Sequence, residues 1–151
     1  MRIAVGSDHA GYHLKAHLLQ WLAARGLEAQ DVGPETLDPR DDYPDFARAV
    51  AESLQQGKSD LGIMICSTGV GSCIAANKVR GVRAALCHDT FSARQSRAHN
   101  DANVLCLGAN IVGRGLAEEI VGVWLEACFS GEPRHCRRLE KVMKLEGAGE
   151  G

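Results

Sequence analysis

LGIMICSTGVGS, residues 61–72, joins an apolar run to a turn that contains two glycines. The run from Leu61 to Ile65 is short and continuous, which is typical of a strand buried on both faces. The turn from Cys66 to Gly71 presents successive backbone N–H groups, and a helix predicted over Cys73 to Val79 adds its N-terminus. The segment therefore predicts a strand, an anion-binding turn and a helix.

Four more strand-like runs occur along the chain: Ile3 to Val5, Ala29 to Val32, Val82 to Leu86 and Val104 to Leu107. Apolar residues recur at helical spacing between or after them, in the stripes Leu14, Leu18, Trp21 and Leu22; Phe46, Val50 and Leu54; and Ala117, Ile120, Val121, Trp124, Leu125 and Cys128. Parallel strands need crossovers, which are normally right-handed helices. The alternation predicts a single-domain, three-layer α/β/α fold with five buried strands in a parallel, Rossmann-like sheet.

Size and charge narrow the classes of protein. The chain has 151 residues, 45% of them hydrophobic, so we expect one domain over residues 1–146, including a C-terminal helix, and a flexible tail over 147–151. Lys and Arg total 17 against 19 for Asp and Glu, which argues against nucleic acid or a membrane as the main partner. We find neither a spanning segment nor a signal peptide and expect a cytoplasmic protein.

The usual signatures of cofactor sites are missing from the sequence. Its six cysteines form no CxxC pair and, with the histidines, no set that has the spacing of a zinc site, so we expect neither a disulfide framework nor a metal site. The turn after residue 65 lacks the GK[ST] ending of a Walker A loop and does not complete GxGxxG after the first strand. We therefore expect no nucleotide and no other cofactor.

Ligands of such folds collect at the carboxyl ends of the strands, which directs attention to the loops there. Cys66 lies where the third strand meets the N–H-rich turn, a setting that favours a thiolate acting as base or nucleophile. A cysteine at such a position is as often an ordinary buried core residue as a functional one. Asp8 and His9 follow the first strand as a possible binding pair, although Asp8 could simply cap the first helix.

Two further groups could contact a ligand. His99 and Asn100 open a polar stretch, residues 99–103, that precedes the fifth strand and could also be a solvated turn. Arg134 and Arg138 are four residues apart and would share a helix face suited to a phosphate dianion, or would merely be solvated.

Six segments together carry a resemblance to a known family: GSDHAG (6–11), DYP (42–44), CSTGVG (66–71), AANK (75–78), SRAHNDANVL (96–105) and GEPRHCRR (131–138). They closely resemble the type B ribose-5-phosphate isomerases over nearly the whole chain. That family also contains galactose-6-phosphate and allose-6-phosphate isomerases. The resemblance implies aldose–ketose isomerisation of a sugar phosphate, here ribose 5-phosphate and ribulose 5-phosphate, with an allose, galactose or tetrose phosphate as alternative substrates.

The resemblance also implies roles for individual residues. Cys66 matches the base that moves a proton between C1 and C2. Thr68 and the N–H groups of Ser67, Gly69, Val70 and Gly71 match the donors to the enediolate oxygens. His99 matches the residue that opens the furanose ring, and the residues that match its helpers and other substrate contacts are Asp8, Tyr43 and Asn100.

The phosphate ligands implied are His9, Arg134 and Arg138, and in the family the arginines reach into a neighbouring subunit's site. A homodimer with shared sites, or a tetramer, is implied. Two positions depart from relatives: Ser72 replaces a glutamate base found in some, and Asn110 replaces an arginine found in many. The phosphate contact of that arginine is weakened or is supplied by Arg114 or Arg137.

Two functions of other classes remain open on the residues alone. A flavodoxin-like or universal-stress-type module would bind a nucleotide's phosphates at the glycine-containing turn. A cysteine-dependent hydrolase or phosphatase would use Cys66 as its nucleophile.

Overall fold

The computed structural model describes residues 1–147. Strands and helices alternate until the last two helices. The elements are β1 (Arg2–Ser7), α1 (Tyr12–Ala24), β2 (Glu28–Asp31), α2 (Tyr43–Gln55), β3 (Leu61–Cys66), α3 (Val70–Ala76), β4 (Ala84–Leu86), α4 (Thr90–Asn100), β5 (Val104–Gly108), α5 (Arg114–Glu126) and α6 (Pro133–Gly147). The sheet has the order β2-β1-β3-β5-β4 and every neighbouring pair is parallel, which confirms the predicted fold class.

Successive residues of the central strands face opposite sides of the sheet, and each side has its own core. Ile63 and Ile65 of β3 pack with α1, α4 and α5, where Trp124 is fully buried. Met64, between them, packs with α2 and α3 on the other side, next to Val50. These two cores form the three layers and fix the direction in which every strand ends.

The prediction of five buried strands is wrong for the two edge strands. In β2 three of the four side chains are exposed, and in β4 all three are only half-buried. An edge strand has a neighbour on one side only, so its sequence need not be apolar throughout. The bounds also differ, because β2 begins and ends one residue before Ala29 to Val32, and Val82 and Arg83 precede β4.

Three helix boundaries differ from the expectation. The third helix begins at Val70 rather than Cys73 because Gly69 adopts a left-handed conformation, φ 77°, that turns the chain at once. His99 and Asn100 close α4 instead of lying in the following turn. Gly147 belongs to α6, and the rest of the predicted tail, residues 148–151, lies outside the described residues. No described helix is long and apolar enough to cross a membrane.

Candidate active site

The loop after β1 packs directly against the end of β3. Ser7 is paired with Ile65, and the Asp8 N–H donates to the Ile65 carbonyl at 3.1 Å. The Asp8 carboxylate accepts from the N–H groups of Ala10 and Gly11 at 3.0 and 3.2 Å, so it caps the turn that precedes α1. It does not cap the first helix itself, because α1 begins at Tyr12 with Gly11 as its N-cap and has no side-chain cap. A Cβ atom at Gly11 would lie 2.6 Å from the Ile65 carbonyl oxygen. Only glycine permits this approach, which brings Asp8 beside the Cys66 turn.

His9 is held by an acidic residue that the sequence did not single out. Asp41 Oδ1 lies 2.6 Å from His9 Nδ1 and also accepts from the His9 backbone N–H at 2.9 Å. The ring hydrogen bond is the main reason that the pKa of His9 is raised; partial desolvation opposes it and the charge of Asp8 adds to it. The raised pKa favours the protonated ring, which is the form suited to binding an anion.

Asp8, His9 and Asp41 are also the group of side chains that offers metal-ligating atoms within 4.8 Å of one another. The contact of 2.6 Å between the ring nitrogen and the carboxylate has the length of a charge-assisted hydrogen bond. A proton between the two atoms leaves Nδ1 without a lone pair for a metal. The arrangement therefore fits a hydrogen-bonded imidazole–carboxylate pair.

The turn after β3 surrounds the Cys66 sulfur with polar groups. Cys66 is 4% exposed, and its Sγ accepts a hydrogen bond from the Gly69 N–H at 3.1 Å. The Val70 N–H donates to Thr68 Oγ1 at 3.3 Å. Sulfur and hydroxyl thus lie within one short turn, at the end of the strand and next to the loop that carries Asp8.

Asn110 supports this turn from the loop that follows β5. Its side-chain amide donates to Ser67 Oγ at 2.8 Å, and its backbone N–H donates to the Ser67 carbonyl at 3.0 Å. A Cβ atom at Gly108 would lie 2.7 Å from the backbone of Thr68, so the two loops are in close contact. Asn110 therefore braces the turn through both its side chain and its backbone.

Tyr43 completes the group at this edge of the sheet. It is the first residue of α2, and a Cβ atom at Gly71 would lie 2.6 Å from its Cζ, so the ring lies against the turn. We call the residues collected here the strand-end cluster: Asp8, His9, Tyr43, Cys66, Thr68 and the turn residues Ser67, Gly69, Val70 and Gly71.

The remaining predicted site residues form a second group. The rings of His99 and His135 stack with their centroids 4.1 Å apart and their planes tilted by 32°. Both rings line a cavity of about 190 Å³ together with Asn100 and Arg138. Arg134 begins the same helix as Arg138 and pairs with Glu132 at 2.9 Å. We call this group the histidine–arginine cluster: His99, Asn100, Arg134 and Arg138.

His135 is a site neighbour that the sequence analysis missed, although it lies inside the basic segment that the analysis quoted. It is 3% exposed, and Ser130 Oγ lies 2.6 Å from its Nδ1. Burial lowers the pKa of His135, and the nearby His99, Arg134 and Arg138 lower it further while Glu132 opposes them. A neutral, anchored ring therefore supports the ring of His99.

The two clusters lie at opposite ends of the strands in the sheet. Val104, where β5 begins, is paired with Gly62, whereas Gly108, where it ends, is paired with Cys66. His99 closes the helix that leads into the start of β5, so it lies near the beginning of these strands and Cys66 lies at their end. One chain thus brings Asp8 to Cys66 but does not bring His99 to either of them.

A parallel α/β sheet whose strand-end loops combine a cysteine, an amide-rich turn and a histidine fits an enzyme that acts on a small anionic substrate. Comparison with known proteins identifies the family. The family described as Ribose/Galactose Isomerase matches residues 3–142. The chain therefore belongs to this family, and it is an aldose–ketose isomerase.

Individual relatives are similar along most of their length. Ribose-5-phosphate isomerase B of Escherichia coli is 46% identical over 145 residues, which cover 96% of each chain. D-erythrulose-4-phosphate isomerase of Pectobacterium atrosepticum is 44% identical over 131 residues, 87% of this chain and 86% of that protein. The solved structure of Clostridium thermocellum ribose-5-phosphate isomerase B superposes with a TM-score of 0.94 at 49% identity, covering 97% of this chain and 98% of that one. This membership disfavours a nucleotide-binding module and a cysteine hydrolase.

Proposed function

We propose that the protein interconverts ribose 5-phosphate and ribulose 5-phosphate, with Cys66 as the base and without metal or cofactor. The observation that carries the proposal is the placement of the Cys66 sulfur at the end of β3, where it accepts a hydrogen bond from the Gly69 N–H in a turn that lies against the loop of Asp8. The similarity to enzymes named ribose-5-phosphate isomerase B supports the same substrate pair. With this substrate the enzyme would act in the cytoplasm, in the pentose phosphate pathway of carbohydrate metabolism.

The chemistry requires one base and one oxyanion pocket. The Cys66 thiolate removes the proton from C2 of the open-chain aldose, and the electrons of that C–H bond form the enediolate. The hydroxyl proton of O2 moves to O1, and the same sulfur then returns its proton to C1, which leaves the carbonyl at C2. Thr68 Oγ1 and the N–H groups of residues 67–71 stabilise the negative oxygen; such preorganised donors contribute about 10² to 10³-fold each.

The substrate enters this site mainly as a ring, and its phosphoryl group is bound far from the reacting carbons. His99 opens the furanose as acid and base, with Asp8 and Tyr43 assisting, since an imidazole titrates near neutral pH. The His9 imidazolium and the two arginines bind the phosphoryl group. Binding energy gained there orients C1 and C2 against the sulfur and so raises kcat as well as lowering KM.

A second copy of the chain would complete the site. The two clusters lie at opposite ends of the strands of one sheet. A twofold dimer could therefore place the histidine–arginine cluster of each copy over the strand-end cluster of the other. Exposed apolar side chains near the strand-end cluster support this arrangement: Val70 and Ile74, one turn apart on α3, are 48% and 58% exposed, and Phe91 is 73% exposed. Asn100 would then contact the substrate in the partner's site, and a tetramer could be built from such dimers.

A tetrose phosphate is the second candidate substrate. The observation that favours it concerns Asn110. Its side-chain amide donates a hydrogen bond to Ser67 and is uncharged, so this position contributes no cation to the binding of a phosphoryl group. The similarity to a D-erythrulose-4-phosphate isomerase supports the same alternative. In this case the enediolate chemistry at Cys66 is unchanged and only the distance from C1 to the phosphoryl group differs.

The test is a panel of ribose, allose, galactose and erythrose phosphates, assayed with wild type, Cys66→Ala and the control Cys128→Ala, whose thiol is exposed on the surface. We expect the highest kcat/KM with ribose 5-phosphate and a loss of at least about 10²-fold in Cys66→Ala alone. In D₂O, deuterium should enter C1 or C2. An unchanged rate in Cys66→Ala would remove the sulfur from the mechanism, and preferred turnover of a tetrose phosphate would replace the substrate.

A further inference from the structure

Asp41 contacts His9 twice through a single oxygen. Oδ1 accepts from the backbone N–H and from the ring Nδ1 of the same residue, so both the main chain and the imidazole of His9 are fixed to the loop before α2. The Asp41 side chain is only 11% exposed, and its second oxygen, Oδ2, is buried with no hydrogen-bond partner among the described residues. A carboxylate held this far from water has a strong electrostatic effect on the ring it touches.

We propose that Asp41 is a positioning residue for the isomerase: it turns the His9 ring so that Nε2–H faces the substrate's phosphoryl group and supplies the negative charge that keeps both ring nitrogens protonated. The inference rests on the proposed function, because it assigns the phosphoryl group of the sugar phosphate to His9. It goes beyond that function because it names the residue that orients this ligand and favours its protonated form.

Each ring nitrogen of His9 has one hydrogen-bonding role. Nδ1–H is committed to Asp41, so the outward donor is Nε2–H, and the His9 side chain, 38% exposed, is accessible to a ligand. An imidazole with an ordinary pKa near 6.5 would be only about one-tenth charged at pH 7.5. The carboxylates that act on this ring from the described residues are Asp41 and Asp8, of which Asp41 has the larger effect.

The sign of the pH dependence follows. Since the pKa of His9 is raised in the folded protein, its charge persists as the pH rises above the ordinary value. Replacement of Asp41 by asparagine keeps the size of the side chain and removes its charge. Phosphate binding by the variant should then weaken above the ordinary histidine pKa and stay close to that of wild type below it.

The experiment compares Asp41→Asn with wild type and with Asp38→Asn, a control that removes an exposed carboxylate from the same loop, where it contacts Arg40. KM for the best sugar phosphate is measured from pH 5.5 to 8.5, and the variant-to-wild-type ratio cancels titration of the substrate. We expect KM of Asp41→Asn to be raised about three- to tenfold at pH 8 and less than about 1.5-fold at pH 5.5, with Asp38→Asn near wild type throughout.

An independent measurement follows the His9 ring itself. NMR titration, with the resonance assigned by its loss in His9→Gln, should show a lower pKa in Asp41→Asn than in wild type, and weaker binding of inorganic phosphate at pH 8. A loss of KM of equal size at every pH would mean that Asp41 only holds the loop, and would overturn the proposal. An unchanged His9 pKa would overturn it as well. If wild type isomerised no sugar phosphate, the proposed function would fail, while the titration with inorganic phosphate would still decide the role of Asp41.

Discussion

A mixture of two inactive proteins should recover activity if the active site is shared between copies. The first protein is Cys66→Ala, and the second is the double variant Arg134→Ala, Arg138→Ala. In a twofold dimer, random exchange of equal amounts makes about half of the dimers mixed, and each mixed dimer has one intact site and one site with every substitution. The mixture should therefore reach about a quarter of the wild-type kcat/KM.

The expected recovery of activity depends on the distance between the two clusters within one chain. Four residue steps of β3 separate Gly62, next to the start of β5, from Cys66, which corresponds to about 13 Å along the sheet. His99 lies near Gly62, and Arg138 lines the same cavity as His99. Neither side chain therefore lies at the end of β3 that carries Cys66 in its own chain. Substitutions in different clusters can complement each other for this reason, and substitutions in the same cluster cannot.

The assay measures isomerisation at substrate concentrations below KM, after the two proteins have been unfolded and refolded together. The matched control mixes Cys66→Ala with His9→Gln, which both alter the strand-end cluster, and should stay at the residual activities of its components. If the first mixture also stayed at that level while size measurements showed mixed dimers, each active site would lie within a single chain. The inference drawn from the separation of the two clusters along the strands would then be refuted.

His99→Asn should lower the turnover of ribose 5-phosphate by about 10²-fold and that of erythrose 4-phosphate by less than about threefold, because a tetrose phosphorylated on O4 cannot close a furanose ring; equal losses on both substrates would contradict the ring-opening role. Gly69→Ala should lower the free energy of unfolding by about 2 to 5 kcal/mol, since the added Cβ would combine a left-handed φ with contacts of 2.5 Å to Leu86 and 2.9 Å to the backbone of Leu107. Gly57→Ala is the control, with φ 68° but open space around the added Cβ, and should lose only about 1 to 2 kcal/mol; equal losses measured by chemical unfolding would show that the contacts at Gly69 do not matter.

The central strands were predictable because their signal is local. β3 lies within the sheet and is buried on both faces, so its residues form a continuous apolar run that ends where the strand ends. The edge strand β2 has the exposed residues Glu28, Gln30 and Asp31, and its place at the edge depends on the order of the strands rather than on its own sequence. The early start of α3 depended on one backbone angle, at Gly69, which composition alone does not specify.

The site was predictable in part. Asp8 and Cys66 each follow a strand directly, and the rule that strand ends of a parallel sheet share one edge was enough to bring them together. Asp41 was missed because its partner, His9, is 32 residues away and nothing in the loop that carries Asp41 indicates that contact. His135 was missed because its stacking on His99 requires α6 to pack against α4.

The order of the residues is enough to predict the alternation of strands and helices, the parallel sheet that this alternation requires, and the chemically active residues at the strand ends. These features follow from periodicity and turn chemistry within a few neighbouring residues. The folded molecule was needed to find that Asp41 contacts His9 and that His99 and the arginines lie at the opposite end of the strands from Cys66. Such relations depend on strand order and helix packing between distant segments, and no local pattern of residues encodes them.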